Sequence, residues 1–245
     1  VSPSGDAAES FTLGPDGTAR WTSLSDSGSA PAQGAAYVTA GGPSLLEAHL
    51  INRLVVAGDD GVALLPSGRA RLQRDIMASV EGPDGPKPVQ LAFLRGLTTS
   101  PLPVWLDEQG KWFATVGWIS LMPAGYEGNA PALRAIQDKA TAQAVKSVAA
   151  RFLTPDAKAP VLFDHVRITS PDGSGFLEDQ AVLTRDGKIV AIGAAGSLAV
   201  PTGGRTIDGR GKTLVPGLWD AHMHIGDDWD VLTNVATGLT SFRSP

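Results

Sequence analysis

Two of the four histidines, His222 and His224, stand one residue apart, with Asp220 two residues before them. They close the run Leu214-Val215-Pro216-Gly217-Leu218-Trp219-Asp220-Ala221-His222-Met223-His224. Along an extended strand side chains alternate between faces, so the three project the same way and two imidazoles can meet one divalent ion. Imidazole is the commonest neutral metal ligand, and the Pro-Gly pair before the run would turn the chain sharply into a new strand. The same spacing also suits two histidines satisfied by hydrogen bonds at a strand edge, because so short a pattern often arises by chance.

The other groups with chemical potential read as structural. His49 falls on the apolar face of a short helical pattern and His165 within an alternating strand, and neither has another His, Asp or Glu at ligand spacing. Asp227, Asp228 and Asp230 follow the histidine strand, where an acidic turn or a helix cap fits better than substrate contact. Trp105, Trp112 and Trp118 read as one packed cluster of a sheet, since no basic residues interleave them as base stacking would need. Gly193-Ala194-Ala195-Gly196 lacks the strand, turn and helix setting of a dinucleotide loop, so no nucleotide is expected.

These residues need a scaffold, and 245 residues allow two domains, or one and part of another. Hydrophobic residues at 42% and charged residues at 18% match a folded globular chain. Gly and Pro, 29 and 18 residues, favour many turns between short strands. The formal charge of −5 leaves no cationic excess for phosphate backbones or anionic lipid, so a nucleic-acid partner is not expected. The absence of cysteine excludes disulfides, thiolate metal sites and a thiol nucleophile, and fits an oxidising compartment as well as the cytosol. No apolar stretch is long enough to span a membrane. The chain begins at Val1, which fits processing or cleavage and the loss of a signal segment.

From Ser10 to about Pro123 the pattern has period two. Phe11–Leu13, the turn Gly14-Pro15-Asp16-Gly17 and Ala19–Leu24 predict a hairpin. Leu72, Ile76, Ala78 and Val80 predict the buried face of a strand, Val89, Leu91 and Phe93 a second, and Pro103–Asp107 with Lys111–Val116 another hairpin, all in an antiparallel sheet. Leu45, Leu46, His49, Leu50 and Leu54 lie at helical spacing behind Ser44 as N-cap. Leu133 to Phe152 repeats at three and four, opened by Pro131 and ended by Pro155. Four or five short strands follow a polar linker at 156–160, at Val161–Ile168, Glu178–Thr184, Lys188–Ile192, Arg205–Asp208 and Lys212–Val215.

The stretch Leu214–His224 resembles the first-strand signature of the amidohydrolase superfamily, metal-dependent hydrolases built on a (β/α)8 barrel. Upstream, Ala181–Gly193 and Arg205–Lys212 are similar to the small β-sandwich that precedes that barrel. Downstream, Ala236–Arg243 is similar to the second barrel strand of the imidazolonepropionase and prolidase-like branch. Val104–Asp107, Trp112–Ala114 and Gly125-Tyr126-Glu127 resemble, more faintly, a leading domain of some exported amidohydrolases. The resemblance implies that His222 and His224 bind a divalent ion, usually zinc, as one of one or two ions, with Asp220 in support. It implies hydrolysis by a water whose pKa the ion lowers, at an amide, peptide or related C–N bond of a small-molecule or peptide-like substrate. The general base and the other ligands would come from later strands, so no catalytic residue is assigned in this chain.

The expected architecture is mixed: residues 1–155 an α+β domain on an antiparallel sheet, 156–216 the small β-sandwich, and 217–245 the first two strands of an incomplete (β/α)8 barrel. A barrel takes about 250 residues, and 28 follow Gly217. Leu218, Ala221, Met223 and Ile225 therefore call for a partner surface, either a second chain or a missing C-terminal segment; a homo-oligomer is also compatible. The resemblance implies a periplasmic or secreted protein, with the cytoplasm left open. The competing expectation is a non-catalytic binding or scaffold protein whose antiparallel sheet holds an apolar ligand or a partner.

Overall fold

The computed structural model describes residues 9–23, 26–39, 45–152 and 158–244. The chain is mixed α and β and divides into two compact units, Val1–Thr141 and Ala142–Pro245.

In the first unit, β1 (Ser10–Leu13), β2 (Thr18–Thr22) and β3 (Ser27–Pro31) make a three-stranded antiparallel sheet. The expected β1–β2 hairpin forms, and its reversal needs the positive φ of Gly17, +75°. A six-stranded sheet runs in sequence order through β4 (Ala36–Tyr37), β5 (Val62–Leu65), β6 (Arg69–Gly82), β7 (Gly85–Arg95), β8 (Leu102–Leu106) and β9 (Trp112–Ala114). It is antiparallel except where β4 lies parallel to β5, so the purely antiparallel expectation fails at that edge.

Helix α1 (Leu45–Ala57) forms as the spacing predicts and buries Leu50, Ile51 and Leu54. His49 is exposed, not part of its apolar face, because the buried set turns through 50, 51 and 54. Ser44, the expected cap, lies outside the described residues. Helix α2 (Ala130–Ala149) starts with Pro131 in its first turn and packs Leu133, Ile136 and Ala140 against the sheet core of Val80, Leu91, Phe93, Trp105 and Phe113. It ends before Phe152, which is exposed, and Pro155 lies outside the described residues.

Two details correct the sequence reading. Between Arg74 and Met77 the β6–β7 register shifts, and this bulge leaves Ile76 exposed although strict alternation placed it in the core. The three tryptophans do not form one cluster. Trp105 is fully buried with Phe113, Trp112 packs on the other sheet face with Ile51, Val104 and Leu106, and Trp118 is 99% exposed. A register shift in the β8–β9 pairing, between Trp105 and Leu106, sets Trp112 beside Leu106 and so separates it from Trp105.

The second unit contains all five expected strands: β10 (Val161–Thr169), β11 (Phe176–Arg185), β12 (Lys188–Ala194), β13 (Arg205–Asp208) and β14 (Thr213–Leu214). They lie in one sheet: β12, β11 and β10 are antiparallel neighbours, and the free edge of β10 takes β13 and then β14 in parallel. Leu162, Val166 and Ile168 would share a face by period two. Register shifts around Val166 instead put Leu162 with Ala181 and Leu183, and Val166 and Ile168 with Val182 and Leu214. The unit ends in a βαβ segment, β15 (Leu218–Asp220), α3 (Asp228–Ala236) and β16 (Leu239–Phe242), with β15 and β16 parallel. No helix among the described residues is long and apolar enough to cross a membrane.

Candidate metal centre

The βαβ segment positions the two histidines. Parallel pairing aligns β15 with β16, and Arg243 donates its backbone N–H to the Asp220 carbonyl (2.9 Å) while Met223 donates to Arg243 (3.0 Å). The chain between Asp220 and Met223 is thus tied to the end of β16, although regular strand geometry stops at Asp220. Gly217 permits this approach: a Cβ there would lie 2.0 Å from Thr240 Oγ1 and 2.8 Å from Thr240 Cβ.

Asp220 Oδ1 accepts the backbone N–H of His222 at 2.9 Å, so this carboxylate shapes the turn that carries the first histidine. The imidazoles then meet edge to face, with ring centroids 5.2 Å apart and Nε2 to Nε2 3.3 Å. That separation is long for a hydrogen bond. It matches the ~3.3 Å expected between two nitrogens each ~2.0 to 2.1 Å from one tetrahedral ion. The Nε2 spacing of the two side chains therefore suits a shared divalent ion. Both histidines are exposed, and among the described residues no group of three or more His, Cys, Asp or Glu side chains converges to hold an ion. Two imidazoles are what the described residues bring together here.

The acidic residues after the histidines serve the helix. Asp227 is the N-cap of α3: its side chain accepts from Trp229 N at 2.7 Å, and Asp230 reaches back to the N–H groups of Gly226 and Asp227, completing a capping box. Burial raises the Asp227 pKa, with the Asp230 and Asp228 charges adding to the rise and the cap bonds opposing it. Trp229, 9% exposed, anchors the first turn, and Asn234 Nδ2 lies 3.1 Å from Met223 Sδ, linking the helix to the histidine loop.

One pairing was invisible in the sequence. His165 Nδ1 lies 2.7 Å from Asp179 Oδ1, and both residues have left-handed backbones, φ +56° and +50°. Fourteen residues separate them, and irregular β10–β11 pairing brings them together; no spacing rule marks such a contact.

No family model matches the chain. Short stretches match curated proteins. Imidazolonepropionase of Ralstonia nicotianae is 38% identical over 77 residues, 29% of this chain and 18% of that protein. Imidazolonepropionase of Klebsiella pneumoniae subsp. pneumoniae is 49% identical over 51 residues, 21% and 12% of the two chains. The L-hydantoinase of Paenarthrobacter aurescens is 39% identical over 67 residues, 27% and 14%. A solved prolidase-type structure from Bifidobacterium longum aligns over 36% of this chain and 23% of that one at 25% identity, with a TM-score of 0.34 that carries no argument. These partial matches, with the Leu214–His224 signature, support a relationship to the amidohydrolase superfamily. It spans less than a fifth of the length of the curated relatives it matches.

Proposed function

We propose that this chain is the N-terminal portion of a metal-dependent amidohydrolase that hydrolyses an amide, peptide or related C–N bond. The observation that carries the reading is the 3.3 Å approach of the His222 and His224 Nε2 atoms just past the C-terminal end of β15 in a parallel βαβ segment. In (β/α)8 enzymes the C-terminal strand ends are where active sites are built. A divalent ion, zinc by the family's habit, would polarise the scissile carbonyl and activate water for attack.

This chain's own residues do the holding. His222 and His224 offer their Nε2 lone pairs, Asp220 fixes the turn that aims His222, and the tie from Met223 to Arg243 keeps both beside the second strand. Further ligands and the general base belong to later barrel strands outside these residues, supplied by a second chain or a further segment. Leu218, Trp219, Val231, Val235 and Phe242 are between 42% and 68% exposed, as expected of strands and a helix whose barrel neighbours lie elsewhere. A periplasmic or secreted location belongs to the same proposal and rests on the likeness of the first unit to a leading domain of exported relatives.

The competing scaffold reading has less support. The cleft between Trp21, Tyr37, Leu64 and Leu97 holds about 220 Å3, is lined also by Glu9 and Asp26, and falls below the ~300 Å3 of an ordinary ligand pocket. The test is metal analysis and amidase assay of the complete polypeptide that carries this chain. His222→Ala should lose stoichiometric metal and turnover together. Asp220→Asn should lower metal affinity by ~10 to 100-fold, as for carboxylates that orient a ligand. Full metal content and normal turnover in His222→Ala would overturn the proposal.

A further inference from the structure

A second cluster of charged side chains lies on the β10 edge of the second unit. A cleft of about 390 Å3 is lined by His165, Arg167, Glu178, Asp179, Arg210, Lys212 and their turn, within the size range of small-molecule sites. Its cations come from two places. Arg167 projects from β10, while Arg210 and Lys212 sit on the turn between β13 and β14, whose pairing sets Arg167 opposite Thr213.

The turn is pinned to the strand. Gly209 donates its N–H to the Asp164 carbonyl (2.8 Å) and Arg167 donates to that of Lys212 (3.1 Å); a Cβ on Gly209 would lie 2.0 Å from Val166 Cγ1. Arg167 is aimed as well: its Nε donates to Thr213 Oγ1 at 2.9 Å and its guanidinium lies 4.6 Å over the Phe176 ring. Cations held in place before a ligand arrives lose little entropy on binding one.

Three cationic side chains, Arg167, Arg210 and Lys212, line the cleft with two carboxylates, Glu178 and Asp179. Asp179 is taken by His165, and Arg210 by Asp208 at 2.9 Å. Glu178 reaches Arg167 only at 3.9 Å and is 73% exposed, a loose partner that an incoming group can displace. Arg167 Nη2 and Lys212 Nζ have no hydrogen bond or ion pair among the described contacts.

We propose that this cleft binds the oxyanion group of a small molecule, a phosphate or carboxylate, through Arg167 and Lys212, with Arg210 at the rim. A planar guanidinium and an ammonium that line one cleft from two elements suit such a group, and neither belongs to the histidine pair at 222 and 224.

The test is NMR titration of the 245-residue chain with inorganic phosphate in one arm and acetate in the other, at constant ionic strength. Saturable shifts of the Arg167 Nε–H and of the amides at 210–213 are expected. Tighter binding of phosphate would identify a phosphate group as the natural ligand, and tighter binding of acetate a carboxylate. Lys212→Gln, a change at an exposed tip, should weaken binding by about tenfold, and Glu178→Gln should tighten it severalfold. Arg167→Lys keeps the charge and the stem, guarding against loss of the Phe176 contact, and should weaken binding less than Arg167→Gln. Shifts that stay linear in both arms, or saturable shifts that Lys212→Gln leaves unchanged, would overturn the proposal.

Discussion

The β7–β8 hairpin and the β15–α3–β16 segment are both short pieces of sheet, but they sit in opposite surroundings. Every residue from Leu91 to Leu94, and from Val104 to Leu106, is buried by this chain's own α1, α2 and neighbouring strands. In β15 and β16, Leu218, Trp219 and Phe242 stay open, and within the segment Trp229 alone is classed as buried. The first region carries its own partner surfaces in sequence; the second carries the histidine pair proposed as metal ligands and leaves much of its apolar surface open.

The sharpest way to break that contrast is a pair of matched substitutions. Trp105→Ala removes a side chain that is 0% exposed and should cost ~3 to 5 kcal/mol of the first unit's stability. Trp219→Ala removes one that is 68% exposed and should change this chain's stability by less than ~0.5 kcal/mol. Denaturant unfolding of both variants checks it. A large loss from Trp219→Ala would mean that the segment is already covered within the chain. If Trp219→Ala becomes costly only in the complete protein, the proposed barrel neighbours are what cover it.

Next in size is Gly217→Ala. The added methyl meets Thr240 Cβ as well as Oγ1, so rotating the Thr240 side chain does not relieve it and the strands must separate. A loss of ~1 to 3 kcal/mol in local stability is expected, as for other overpacked sites. It would be read as faster amide exchange at Met223 and Arg243, whose N–H groups tie the two strands. Unchanged exchange there would show that the pairing tolerates the added carbon.

Smaller again is Asp227→Ala, which removes the N-cap of α3. A cap of this kind contributes about 1 kcal/mol, so exchange in the first turn of α3 should speed up by roughly fivefold with the sheet of β10–β14 untouched. Asp228→Ala, which makes no cap bond among the described contacts, is the control.

Local rules were enough for much of this. Turn chemistry placed the β1–β2 hairpin and the five strands from Val161 to Leu214, and 3.6 periodicity placed α1 and α2. The strand before the histidines was legible, but it ends at Asp220, so His222 and His224 lie beyond it and not on it. What escaped was set by irregularity or by distance along the chain. The bulge at Arg74–Met77 exposed Ile76 without any Gly or Pro to mark it. A register shift between β8 and β9 sent Trp105 and Trp112 to opposite faces, though their type suggested one cluster. His165 and Asp179 meet only because β10 and β11 pair irregularly, and Arg167 meets Lys212 only through the parallel addition of β14. Patterns within one element report the face of a strand, whereas sites assembled across a sheet depend on register.

The smallest expected effect concerns the β10–β11 turn, where exposure is complete and only hydrogen bonds act. Asp172 accepts from the Ser170 and Ser174 hydroxyls and from the Ser174 backbone N–H. These bonds, the Ser170 hydroxyl first, favour its ionised form and lower its pKa from 3.8 to about 2. A carboxyl depressed in the folded state adds stability that is fully present above its unfolded value near 4 and is lost as the pH falls through about 2. Between those values the turn should loosen while the strands on either side stay paired. Proton NMR of the Ser174 amide from pH 5 to pH 1.5 should show a single midpoint near 2, and Asp172→Asn should abolish it. A midpoint at the ordinary value near 4 would mean that the two serine hydroxyls point elsewhere in solution.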